Sequence, residues 1–168
     1  MGDLEFTPNM QELLEKSVEL SATIIIISDS NSEFINHILK TKKVDHLVER
    51  VFTNPAEWSS DGLLTIKPYH HQETDKLSTK NLGKGLILED YIKNCGKDFS
   101  FVCYVGDGKN DFSPALRLSD NDLVCVREGY SLEKYIPKME KEGYQIKAEI
   151  LLWNDADQIY NKLKEKSR

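Results

Sequence analysis

Residues Thr23-Ile24-Ile25-Ile26-Ile27 are β-branched at every position. Two heavy atoms on each Cβ restrict χ1 and crowd a helical turn, whereas a pleated strand accommodates them. The run lacks the polar alternation of a half-exposed strand, so it reads as a strand buried on both faces. Such a strand requires cover on both sides, as in a parallel sheet lined by helices.

The rest of the chain follows that lead. Thr7-Pro8 reads as an N-cap followed by proline at the first helical position, and Met10, Leu13, Leu14 and Val18 recur at helical spacing. Phe34, Ile35, Ile38 and Leu39 mark a helix over Ser30–Leu39, and Val51-Phe52-Thr53 a short strand ended by Asn54-Pro55. Ser59-Ser60-Asp61-Gly62 is a turn before Leu63–Ile66, and a polar loop runs from His70 to about Gly83. Helices are expected over Lys84–Lys93, Ser131–Lys141 and Asp155–Lys164, and strands over Phe101–Val105, Leu123–Val126 and Glu149–Trp153. Strands alternating with helices predict a doubly wound, Rossmann-like α/β fold, with ligands bound at the carboxyl ends of the strands. The length of 168 residues suits one domain.

Charge and apolar content exclude several partners. Acidic residues outnumber basic ones, 28 to 22, and no basic patch is interleaved with aromatics, which argues against nucleic acid. The longest apolar stretch, Ala22–Ile27, is too short to span a bilayer. Met1–Glu5 has neither a basic nor an apolar leader region, and Phe6 stands where a myristoylation motif needs Ser or Thr. Cys95, Cys103 and Cys125 show no metal-ligand spacing, and the latter two sit in strand-like runs. Free thiols imply a reducing, cytoplasmic compartment.

Three segments carry chemistry. Ser28-Asp29-Ser30-Asn31 follows the isoleucine run at a strand end, where hydroxyls and backbone N–H groups suit a phosphate oxygen; capping of the next helix by Ser28 or Ser30 is the plainer alternative. Gly106-Asp107-Gly108-Lys109-Asn110-Asp111 follows an apolar strand, with glycines that admit close approach of a ligand and oxygen donors that suit a hard cation such as Mg²⁺. Lys84 opens a helix, where the dipole disfavours a cation unless a bound phosphate offsets it.

In this order the segments resemble the haloacid dehalogenase superfamily of phosphatases. Ile26–Ser32, Val51–Pro55, Lys80–Gly85, Tyr104–Asp111 and Arg127–Tyr130 narrow the likeness to the phosphoethanolamine/phosphocholine and pyridoxal-phosphate phosphatases, from Phe6 to Lys164. The resemblance implies a Mg²⁺-dependent phosphomonoesterase acting on a small phosphorylated metabolite. Ser28, Lys84 and Asp111 would be the catalytic set, and Ser28, Asp29, Lys84 and Asn110 would surround the phosphate. Asp107 would ligate Mg²⁺.

One part of the pattern is missing. The family's first motif is a central strand ending in Asp-x-Asp, whose first aspartate attacks phosphorus. The 22 residues before the β-branched run hold one aspartate, Asp3. Asp120-Asn121-Asp122 precedes a strand, and Asp155-Ala156-Asp157 reads as the acidic opening of a helix. The expectation is therefore a partial core domain over residues 1–168, without its first strand or a cap, and inactive or very weak. A non-catalytic phosphate- or Mg²⁺-binding protein is the rival. Self-association or pairing with a complete homologue is left open as the source of a borrowed strand.

Overall fold

The computed structural model describes residues 5–168; Asp3 and the leader reading of Met1–Leu4 lie outside them. The fold is α/β, with parallel strands and intervening helices. The chain divides into two compact units, one formed by residues 1–71 and 155–168, the other by residues 72–154.

In the first unit, α1 (Met10–Glu19) leads to β1 (Ile24–Asn31), α2 (Ser32–Thr41) and β2 (Val48–Asn54). β1 and β2 form a two-stranded parallel sheet in which Ile27 faces Phe52 and Ser28 faces Thr53. Ile35, Leu39 and Val44 form the core beneath it, joined by Phe6, Leu14, Ile26, Leu47, Val48 and Val51. A hairpin follows, β3 (Ala56–Trp58) against β4 (Leu64–Ile66). α6 (Ala156–Lys166) completes this unit beside α1.

Two local expectations change here. Ile24–Ile27 are each only half-buried, because β1 has a single neighbour, β2, in its sheet. Helix α1 is capped by Asn9 in the left-handed region (φ 60°), not by Thr7. The Asn9 amide donates to Asp155 Oδ1 at 2.8 Å and Oδ2 at 3.0 Å, which ties the start of α1 to that of α6. Asp155 also accepts from the Asp157 N–H, and this hydrogen bond followed by that from Asn9 holds its carboxyl below the usual range. Asp155 is thus a helix cap, as its place in the sequence suggests.

In the second unit, α3 (Lys84–Asn94), β5 (Cys103–Gly106), α4 (Phe112–Ala115), β6 (Leu123–Arg127), α5 (Ser131–Lys141) and β7 (Glu149–Trp153) follow in order. The parallel sheet runs β5-β6-β7. Central position explains β6: Leu123, Val124, Cys125 and Val126 are all fully buried. Phe112, Leu82 and Leu132 of this unit are fully buried as well. The three cysteines are free, with the Cys103 and Cys125 sulfurs 3.6 Å apart across neighbouring strands. Asp122, at the amino end of β6, is structural: it accepts from the backbone of Val102 and Ser119 at 2.7 Å each. Among the described residues no helix is long and apolar enough to cross a membrane.

Candidate phosphate site

The segment after β5 turns sharply. Gly106, Asp107 and Gly108 lead into a short 3₁₀ turn over Lys109–Asp111, and then into α4. The turn closes on one side chain. Asp111 Oδ2 accepts the backbone N–H of Gly108 at 2.9 Å and of Asp107 at 3.1 Å. Gly106 makes this possible, since a Cβ there would lie 2.6 Å from both Cβ and Cγ of Asp111. Gly106 is therefore present for close approach and not for backbone freedom.

The other oxygen of the same carboxylate is equally engaged. Asp111 Oδ1 accepts from Lys84 Nζ and from the Tyr104 hydroxyl, each at 2.7 Å. Asp111, Lys84 and Tyr104 are 4%, 9% and 9% exposed, so the pair is screened from water and each polar atom needs its partner. The expectation that Lys84 opposes its helix dipole until phosphate arrives is corrected: Asp111 already supplies the compensating charge. Three sequence-predicted or neighbouring groups thus meet at the carboxyl end of β5, on elements separated by up to 27 residues.

Asp107 differs from Asp111. It is exposed, and its carboxylate has no hydrogen-bond or ion-pair partner among the described residues. Its backbone carbonyl accepts from Leu132 N–H at 2.9 Å and Ser131 Oγ at 3.2 Å, which fixes it against the start of α5. Among the described residues no three His, Cys, Asp or Glu side chains gather to hold a metal unaided. One unengaged carboxylate fits Mg²⁺, which commonly binds through one or two carboxylates, water and substrate phosphate.

Ser28 and Asp29 lie in the first unit and have surroundings of their own. Ser28 Oγ accepts the Ser30 N–H at 3.2 Å. Neither Ser28 nor Ser30 caps α2; the cap is Asn31, whose Oδ1 accepts the Phe34 N–H at 3.0 Å. Asn54 pins the loop, its amide donating to the carbonyls of Asp29 at 2.9 Å and Ser30 at 3.0 Å. The Ser28 hydroxyl is therefore not the cap of α2: its oxygen accepts the Ser30 N–H instead.

Tyr104 and Asn54 lie in segments that carry the resemblance but are not among the site residues expected from the sequence. Asn54 looked like a strand terminator before Pro55. Tyr104 stands in an apolar strand two residues before Gly106, and its hydroxyl is what marks it out from its neighbours.

A family described as "Putative Phosphatase" matches residues 1–167. The chain belongs to this family. It is a haloacid dehalogenase superfamily phosphatase family, in agreement with the order of Ser28, Lys84 and Asp107–Asp111. Among the relatives of the chain, the pyridoxal phosphate phosphatase PHOSPHO2 of Mus musculus is 36% identical over 165 residues, covering 95% of this chain and 68% of that protein. The Homo sapiens PHOSPHO2 is 33% identical with the same coverage. The phosphoethanolamine/phosphocholine phosphatase of Gallus gallus is 32% identical over 163 residues, covering 94% of this chain and 60% of that protein.

Proposed function

We propose that the chain binds the phosphoryl group of small phosphate monoesters at the Lys84–Asp111 centre, as a Mg²⁺-dependent phosphomonoesterase does. The observation that carries this reading is the buried ion pair at the carboxyl end of β5, beside the unengaged carboxylate of Asp107. Phosphoryl transfer depends mainly on positioning and charge stabilisation, and a buried lysine held in one place supplies both. Asp111 fixes the Lys84 ammonium and the loop amides. Asp107 is the residue that would hold Mg²⁺, which when bound would neutralise phosphate charge. Asn110, Ser28 and Asp29 take phosphate-facing roles by resemblance, and single alanine variants test each separately.

Substrates of the pyridoxal phosphate, phosphoethanolamine or phosphocholine type are part of this reading, which the names of the relatives support. A cytoplasmic location suits three free thiols. Turnover by this chain is expected to be very weak, because Asp155 of its one Asp-x-Asp after a strand is engaged as a helix cap. Titration with inorganic phosphate, with and without Mg²⁺, tests the binding. A single-turnover assay with a phosphate ester tests turnover, and a hydroxylamine-sensitive phosphoprotein would overturn the expectation of inactivity.

A further inference from the structure

The loop before Lys84 contains another carboxylate with a buried side chain, some of whose partners lie outside the loop. The Asp75 side chain is 6% exposed. Its Oδ1 accepts the Leu77 N–H at 3.0 Å. Its Oδ2 accepts from Ser78 Oγ at 3.0 Å, from Ser113 Oγ, and from Arg117 Nη2 at 3.4 Å. The first two partners belong to the loop, while Ser113 lies in α4 and Arg117 just beyond it. The carboxylate thus ties the loop to the segment that follows Asp111.

The route of that tie is informative. A Cβ at Gly85 would collide with the Ser113 hydroxyl and with the Arg117 side chain. Both side chains therefore reach Asp75 across the first turn of α3, directly over the residue after Lys84. Arg117 is braced on its other side by Glu89 of α3. The remaining loop is closed by buried Gln72, which donates to the Thr79 carbonyl at 2.8 Å and accepts the Asp75 N–H at 2.9 Å. The Thr79 hydroxyl bonds the Leu82 carbonyl at 2.9 Å, and Leu82 is fully buried.

Helix α3 has no side-chain cap at Gly83, so its own sequence does little to fix where the first turn starts. A charged acceptor gathering donors from two segments does this instead. We propose that Asp75 is a positioning residue for Lys84: it clasps the 72–83 loop to Ser113 and Arg117 over Gly85, and so sets the place from which the Lys84 ammonium reaches Asp111. The proposal rests on the reading of Lys84 as the phosphate-binding cation.

The test compares wild type with D75N and S113A. Three readouts are taken: far-UV circular dichroism, the side-chain ¹⁵Nζ signal of Lys84, and the Kd for inorganic phosphate. Asp75→Asn preserves shape and removes the charge. Expected are an unchanged dichroism spectrum, a shifted or exchange-broadened Lys84 signal, and a Kd weakened by about tenfold, the equivalent of one charge-assisted hydrogen bond. Folded D75N with the wild-type Lys84 signal overturns the proposal. Should D75N fail to fold, S113A decides: it removes one donor and retains the carboxylate, and a Lys84 signal identical to wild type contradicts the clasp. If wild type binds no phosphate, the functional reading fails by itself, and the Lys84 signal still decides the role of Asp75.

Discussion

Tyr104 and Lys84 donate to the same oxygen of Asp111, each over 2.7 Å. One carboxylate therefore organises a strand, a helix N-terminus and the Gly106–Gly108 loop together. A buried charge is tolerated when its lone pairs are satisfied and costly when they are not. Asp111 meets this condition with four donors.

Removing one donor should be mild. Tyr104→Phe deletes a hydroxyl and leaves Lys84 on the same oxygen. The expected loss of stability is about 1–2 kcal/mol, read from urea denaturation at constant m. A neutral result would mean that the hydroxyl contributes nothing to holding Asp111.

Removing the cation should be severe. Lys84→Met leaves Asp111 buried with its charge uncompensated, at a cost of about 3–5 kcal/mol. The double variant K84M/D111N carries no unpaired charge and should recover part of that loss. Equal and additive losses in the two single variants, measured as a double-mutant cycle, would contradict the coupling.

The Asp75 clasp predicts a pH dependence. Burial alone would raise the Asp75 carboxyl, but hydrogen bonds from Ser113, Ser78, the Leu77 N–H and Arg117 outweigh it and hold the group below its ordinary value. Arg117 is the charged group facing it, with Glu89 on the far side of the guanidinium. A carboxyl lowered by folding stabilises fully above its unfolded pKa of about 3.9, and that contribution disappears as pH falls through the folded value. Wild type should exceed D75N in stability at pH 7, and the gap should begin to narrow at about pH 4 and shrink further as pH falls through the folded value. A gap constant from pH 7 to pH 3 would contradict the account.

Much of the fold was legible because it rests on local periodicity. The β-branched run lies in β1 and the helix stripes lie in helices, but β1 runs on through Asn31, so that α2 starts at Ser32 where a helix from Ser30 is expected, and β5 takes in Gly106 of the expected loop. What escaped depends on distant partners. Lys84 looked electrostatically misplaced because Asp111, 27 residues away, is invisible to a local reading. Asp75 meets Ser113 across 38 residues, and no spacing announces it. Cap positions failed for a different reason. Thr7, Ser28 and Ser30 are good caps by type, but Asn9 and Asn31 occupy the cap positions, and the Asn31 side chain reaches the free N–H of Phe34. The half-exposure of Ile24–Ile27 follows from the number of strands beside β1, which residue type alone does not encode.

The most direct test of the central claim is a ³¹P NMR titration of inorganic phosphate with wild type, K84M and D107N, each with and without Mg²⁺. Wild type should bind saturably and more tightly with Mg²⁺. D107N, altered at an exposed carboxylate, should stay folded and lose only the Mg²⁺ enhancement, and K84M should lose phosphate binding altogether. No saturable binding by folded wild type, or binding by folded K84M equal to wild type, would contradict the assignment of the Lys84–Asp111 centre as a phosphate site.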